Sequence, residues 1–262
     1  MTSDERQPDL ARYIRQTAYP PLGEEGQRRL MQGSALVAGC GALGGMISTM
    51  LVRAGVGRVR LVDGDVVETH NLQRQFLFTE RHADERRPKV LAAAEVLRQG
   101  NSTVAIEPVQ EFITAENVER LCQGVDVIVD ALDNFPARLV VNDAAMKHRL
   151  PWVTGGVVGA EGQTLVVLPD ESPCLRCLVP ECPAEGSVPT CLDVGILSPA
   201  MAVIASLEAI EAMKILAGRP EAVSRRLTIV RLWDARVRQV DLAGLSRAAD
   251  CPCCVYRRFD FL

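Results

Sequence analysis

The sequence predicts an α/β chain: a Rossmann-like, doubly wound, mostly parallel sheet, extended by antiparallel strands in its second half and fastened by a four-cysteine zinc knuckle. Three observations carry this reading. From Ala35 to Arg149, short β-rich runs alternate with amphipathic helical stretches, the pattern of parallel strands joined by crossover helices. The stretch "VAGCGALGG" places Gly39, Gly41 and Gly44 directly after a strand and at the opening of a helix. Two C-x-x-C pairs, Cys174/Cys177 and Cys251/Cys254, offer four thiolates, the preferred set for structural Zn²⁺.

Taken in order, a charged helical lead-in spans residues 9–32 and is interrupted at Pro20 and Pro21. The strand "ALVAG" precedes a helix over 43–54, and "VRLVD" precedes one over 88–99. The strand "TVAIEPV" leads to a helix over 116–122, and "VDVIVDAL" to one over 137–149. From Trp152 the rhythm changes to two adjacent strands, "WVTGGVVGA" and "GQTLVVLP", which predict an antiparallel section. A Pro- and Cys-rich loop over 169–197 is long enough to suggest a functional role. A helix over 199–216, expected to serve a core or a dimer interface, and the strands "RLTIVRLWD" and "RVRQVDL" lead to "CPCC". We read residues 1–262 as one domain: a lead-in (1–33), a nucleotide-binding half (34–150) and a second half (151–262).

The net charge of −4 gives no global attraction for nucleic acid. The N-terminal ten residues are charged, and the longest apolar stretch, "ILSPAMAVIASL", is broken by Pro199, so neither a signal peptide nor a membrane span is expected. The expected compartment is the cytosol. There thiols stay reduced, so nine cysteines read as metal ligands or reactive groups rather than as disulfides.

The glycine turn admits a phosphate to backbone N–H groups at a helix N-terminus. Asp63, about 20 residues on, stands where a ribose hydroxyl is bound in such folds. This constellation fits any adenine nucleotide, NAD included. The following "DGDVVETHNLQRQF" and "RRPKV" bring Asp65, Asn71, Arg74 and Lys89 to the same sheet edge, and two cations there favour a triphosphate over nicotinamide. In "VDALDNFPARL", Asp130 ends a strand and Asp133 with Asn134 follows on a loop. A carboxylate and an amide beside phosphates suit Mg²⁺, although Asp133 could equally cap the helix beginning near Pro136. No P-loop is present, and none of His70, His82 and His148 has a partner at triad or ligand spacing. A nucleophile that is already ionised, such as a carboxylate, would need no base.

These pieces together, with "RYIRQ", "GEEGQRRL", "GAEGQ", "PCLRC" and "TCLDVGILSP", resemble the ThiF/MoeB family over nearly the whole chain. These are adenylyltransferases of sulfur-carrier proteins, related to ubiquitin-activating enzymes. The resemblance implies ATP as the nucleotide, with Asp63 at the ribose, Asn71, Arg74 and Lys89 at the phosphates, and Asp133 at Mg²⁺. It implies that Arg15 reaches the neighbouring subunit's nucleotide in a homodimer. Ala42 departs from the glycine many members carry there. The resemblance also implies a small ubiquitin-fold partner ending in Gly-Gly, whose tail threads beneath the 169–197 loop, and makes residues 151–262 the carrier-binding and zinc half.

Cys253, between two ligand candidates, breaks the C-x-x-C spacing and ranks below them. Cys191 stands before a helix whose dipole would lower a thiol pKa, and it matches the position of a reactive cysteine in sulfur-transferring relatives. Its role as a covalent relay stays open. Cys182 is a weaker candidate, and Cys40 and Cys122 read as buried fillers. No rhodanese-like domain follows the knuckle, so sulfur is expected from a separate donor protein. The rival readings are an NAD-dependent dehydrogenase and a non-catalytic scaffold of the same fold.

Overall fold

The computed structural model describes residues 10–184, 186–188, 191–242 and 250–262, without the side chains of Cys191 and Leu192. The elements follow the sequence closely. Two lead-in helices, α1 (Ile14–Thr17) and α2 (Gly23–Gln32), precede β1 (Ser34–Ala38), α3 (Ala42–Ala54) and β2 (Arg58–Val62). Next come α4 (Glu80–Asp84), α5 (Lys89–Gly100), β3 (Ala105–Val109), α6 (Val118–Cys122), β4 (Val127–Asp130) and α7 (Phe135–His148). The second half holds β5 (Trp152–Val158), β6 (Glu161–Val167), α8 (Leu175–Leu178), α9 (Cys191–Val194), α10 (Ser198–Leu216), β7 (Arg226–Arg231) and β8 (Arg236–Asp241).

All the strands share one eight-stranded sheet in the order β3-β2-β1-β4-β5-β6-β7-β8. The pairs from β3 to β5 are parallel and those from β5 to β8 antiparallel, as the change of rhythm at Trp152 predicts. Successive parallel strands move outward from β1 in one direction and then resume at β4 on its other side. The carboxyl ends of β1 and β4 therefore flank the switch point, where open α/β sheets form their crevice. Strand β1 is buried along its whole length because helices cover both faces.

One apolar cluster unites α3, α5 and α10 against one face of the sheet. A second joins α6, α7, Trp152 and the terminal cysteine segment against the other. Helix α10 is a core helix, with Ala200, Met201, Ile204, Ala205 and Ala212 buried. Among the described residues no helix is long and apolar enough to cross a membrane. The short helix α4, opened by a Thr79/His82 capping box, was not foreseen, because its charged sequence "ERHAD" carries no apolar period.

Candidate functional site

The site grows from the turn after β1. Gly39 takes φ +95°, open to glycine without strain, and a Cβ there would lie 2.8 Å from the carbonyl oxygen of Ala131 at the end of β4. A Cβ on Gly44 would collide with the Gly39 carbonyl, so this glycine lets α3 sit tight on the turn. Gly41 has open space, its nearest neighbour being Gln75 Nε2 at 3.6 Å. Ala42, the first residue of α3, is buried, so its methyl group faces protein and leaves the mouth of the turn clear. Beside the turn the buried Gln75 Oε1 has no hydrogen-bond partner, a polar atom that suits a bound polar ligand.

Asp63, just past β2, holds this turn together: its Oδ2 accepts from Cys40 N at 2.7 Å and its Oδ1 from Asp65 N at 2.8 Å. Lys89, at the N-terminus of α5, is buried and donates to Asp65 Oδ2 at 2.8 Å. Asn71 is buried, and its Oδ1 accepts from Glu68 N at 3.1 Å, closing a short turn. Half-buried Arg74 is braced by its Nη1 donating to the His70 carbonyl at 2.8 Å. Sequence reasoning thus brings Asp63, Asp65 and Lys89 into one bonded group, with Asn71 and Arg74 on the adjoining segment.

Across the switch point, β4 ends at the fully buried Asp130. Its Oδ1 accepts from Leu132 N and its Oδ2 from Thr154 Oγ1, each at 2.7 Å. Burial pushes its carboxyl upward from the usual carboxylate range, opposed by the Arg138 guanidinium and these two hydrogen bonds. Arg138 of α7 donates to the carbonyls of Leu132 (2.5 Å) and Gly155 (2.6 Å), with its Nε 3.5 Å from Asp130. The next residue, Asp133, is exposed, and its Oδ1 accepts a bond from Asn134 Nδ2 at 3.2 Å. The helix cap is Asn134, whose Oδ1 accepts from Ala137 N at 2.9 Å, so the alternative reading of Asp133 as the cap is corrected. Asp133 therefore keeps oxygen lone pairs available for a hard cation.

Beyond Asn134 a cavity of about 410 Å³ opens between the segment after β3 and α7, walled by Phe112, Ile113, Leu132, Val140, Cys182 and Phe261. The Phe112 ring packs over Gly64, where a Cβ would lie 2.6 Å from it. An apolar slot walled by Phe112 and Phe261 has the chemistry to seat a flat heterocycle.

Four of the cysteines gather in one cluster. Sγ atoms of Cys174, Cys177, Cys251 and Cys254 all lie within 4.8 Å of one another, with separations of 3.9 Å (174–177), 3.7 Å (174–251) and 3.3 Å (177–254). Four thiolates at about 2.3 Å from a tetrahedral ion stand about 3.8 Å apart, so this cluster fits a metal ion. Cys253 is fully buried outside the four and accepts from Asn142 Nδ2 at 3.4 Å. The knuckle is pinned by Arg176, which donates to Asp143 (3.3 Å), to Asp260 (2.8 Å) and to the Arg258 carbonyl (3.1 Å). Cys40 and Cys122 are buried, and burial pushes the Cys122 thiol up to about 12 and that of Cys40 higher still, which keeps both inert.

Two expected site residues are not brought to this edge by the described residues. Arg15 is exposed on α1, whose neighbour Gln16 donates to the Ala54 carbonyl at the far end of the 13-residue α3, about 20 Å from the turn. Its own subunit does not bring it to the site. Cys191 opens the short helix α9, seven positions before α10 begins at Ser198, and its side chain lies outside the described residues. Sequence reasoning missed Arg138, Thr154 and Glu208. Arg138 stood in the quoted "DNFPAR" motif, but its two carbonyl partners are invisible without the fold.

The sequence matches the ThiF family over residues 13–253. It is 42% identical over 251 residues to the sulfur carrier protein ThiS adenylyltransferase of Bacillus subtilis, spanning 96% of this chain and 73% of that protein. It is 38% identical over 245 residues to the SAMP-activating enzyme E1 of Haloferax volcanii, spanning 94% and 88%. The crystal structure of E. coli MccB with ATP shares the fold, with a TM-score of 0.79 at 20% identity over 94% of this chain and 74% of that one. With the matched region running from the lead-in to the cysteine knuckle, the chain belongs to the ThiF family.

Proposed function

We propose that this protein adenylates the C-terminal glycine carboxylate of a small ubiquitin-fold sulfur carrier, consuming ATP and releasing pyrophosphate. The observation that carries the reading is the meeting of the glycine turn with the Asp133 loop at the switch point, in a chain whose relatives are named as adenylyltransferases of such carriers. The carrier carboxylate, with a pKa of about 3.5, is ionised at neutral pH and attacks without a base. Its oxygen bonds to the α-phosphorus as the bond to the bridging oxygen breaks, and pyrophosphate leaves with that electron pair. Lys89 and Arg74 offset charge on the phosphates, Asn71 donates its amide to them, and Asp63 receives the ribose hydroxyl. Mg²⁺, when bound at Asp133, neutralises phosphate charge. The missing histidine base is thereby accounted for.

On the same reading the four cysteines hold structural Zn²⁺, and Arg15 serves the nucleotide of a second copy in a homodimer. A separate protein donates the sulfur, and the enzyme works in the cytoplasm. The deciding experiment is ATP–pyrophosphate exchange with a purified Gly-Gly-ending carrier. Exchange that requires the carrier's terminal carboxylate supports the reading, and binding of NADH in place of ATP with no exchange would overturn it.

A further inference from the structure

Helix α10 buries a carboxyl group that the reaction above does not use. Glu208 is fully inaccessible, and neither Oε1 nor Oε2 has a hydrogen-bond partner. It lies against the glycine pair of β5: a Cβ on Gly155 would stand 2.7 Å from Glu208 Oε1, while a Cβ on Gly156 would stand 3.1 Å from Arg138 Nη2. Successive residues of a strand point to opposite faces, so the two glycines open a window through the sheet. Glu208 occupies it from the α10 side, and Arg138 with Asp130 from the α7 side.

We propose that Glu208 is a positioning residue for the nucleotide edge: an uncharged acid at this window leaves Arg138 clamped on the carbonyls of Leu132 and Gly155, and a charged one draws Arg138 off them. The proposal rests on the adenylation reading, since the clamped Leu132 directly precedes Asp133. The charges around Glu208 make the device work. Burial and the nearby Asp130 hold its carboxyl well above the usual carboxylate range, with Arg138 opposing them. On α10 itself, Glu211 is engaged by Lys214 Nζ at 2.7 Å and Ser224 N at 2.9 Å. Strand β5 carries no charged side chain, Glu161 of β6 is exposed and paired with Arg231 of β7, and Arg53 of α3 lies at the distant end beside Gly100. The acidic and basic residues of α2 pair among themselves on the surface, and Glu221 is exposed. Among the described residues Arg138 is thus the cation within reach, and an ionised Glu208 would compete with Asp130 and two carbonyls for it.

The variant Glu208→Gln keeps the shape and removes the titration. Carrier-dependent exchange and MgATP affinity by calorimetry are measured for wild type and variant from pH 6 to 10, together with ligand-free thermal melts. Below the pH at which wild type titrates, the variant should match it. Past the titration point wild type should lose roughly tenfold in exchange and in MgATP affinity per pH unit, a loss the variant escapes. The melts carry a definite sign. A folded-state pKa above the unfolded value means the native state binds the extra proton, so the wild-type melting temperature should fall relative to the variant as pH rises from about 4.5. A folded but inactive Glu208→Gln, parallel alkaline limbs, or a constant melting difference would each overturn the proposal. Failure of the adenylation reading would look different: no exchange in either protein at any pH, with the calorimetric and melting comparisons still deciding on Glu208.

Discussion

Lys89 Nζ lies 2.8 Å from Asp65 Oδ2, and while the lysine side chain is only 9% exposed, its partner is 54% exposed. The pair joins a buried cation to a carboxylate that water already reaches. An incoming polyphosphate can therefore take over the ammonium while Asp65 is released to solvent at small cost. Lys89→Ala should raise the KM for ATP and lower exchange by about 10²-fold, the loss expected for a preorganised contact to developing charge. Steady-state exchange kinetics check this, and an unchanged KM would remove Lys89 from the phosphate site.

Asp133→Asn should abolish nearly all carrier-dependent exchange, by about 10²–10³-fold, while the melting temperature stays within a degree or two. The side chain is exposed and caps nothing, so its loss should not disturb α7. Raising the Mg²⁺ concentration should recover part of the activity. Residual exchange near wild type would refute the magnesium role.

Much of this edge was legible in the sequence. Gly39, Gly44 and Asp63 belong to one strand–turn–helix–strand unit, and local spacing encodes such geometry. Asp133 and Asn134 could not be ranked as caps, because both are favoured there and only the backbone of Asn134, with φ −134° and ψ 149°, aims its side chain at Ala137 N. The Asp130–Arg138–Glu208 group was hidden for a different reason. Its members come from β4, α7 and α10 and meet through two glycines that read, in one dimension, as ordinary strand residues. Spacing ranked Cys253 below the other four cysteines, and in the fold it accepts a bond from Asn142 while the close cluster is formed by Cys174, Cys177, Cys251 and Cys254.

Elemental analysis should find close to one zinc per chain. On the proposed zinc reading, Cys174→Ser should lower both metal content and thermal stability, because the cysteine cluster lies in a buried segment that includes Leu175 and the fully buried Trp152 packs in the same apolar cluster. Metal-free protein of undiminished stability would exclude a structural role.

Cys191→Ala should leave pyrophosphate exchange intact, because adenylation needs no thiol. If Cys191 relays sulfur, wild type given carrier and ATP should yield a covalent adduct released by reductant, absent in the variant and visible by mass spectrometry. Its alkylation rate should then report a pKa below the free value of about 8.5. Absence of the adduct, with full downstream sulfur transfer by the variant, would leave adenylation as the activity of the chain.

The cysteine pairs that meet in the knuckle are 77 positions apart, counted from Cys174 to Cys251. During synthesis on a ribosome the first pair emerges long before the second, with β7 and β8 still to come. For that interval Cys174 and Cys177 stand without the two thiols that complete the cluster. If the four thiolates hold zinc, as proposed above, the ion can be gripped fully only after the last residues have arrived, and protein made in zinc-depleted cells should be recovered with lower thermal stability than protein made with zinc.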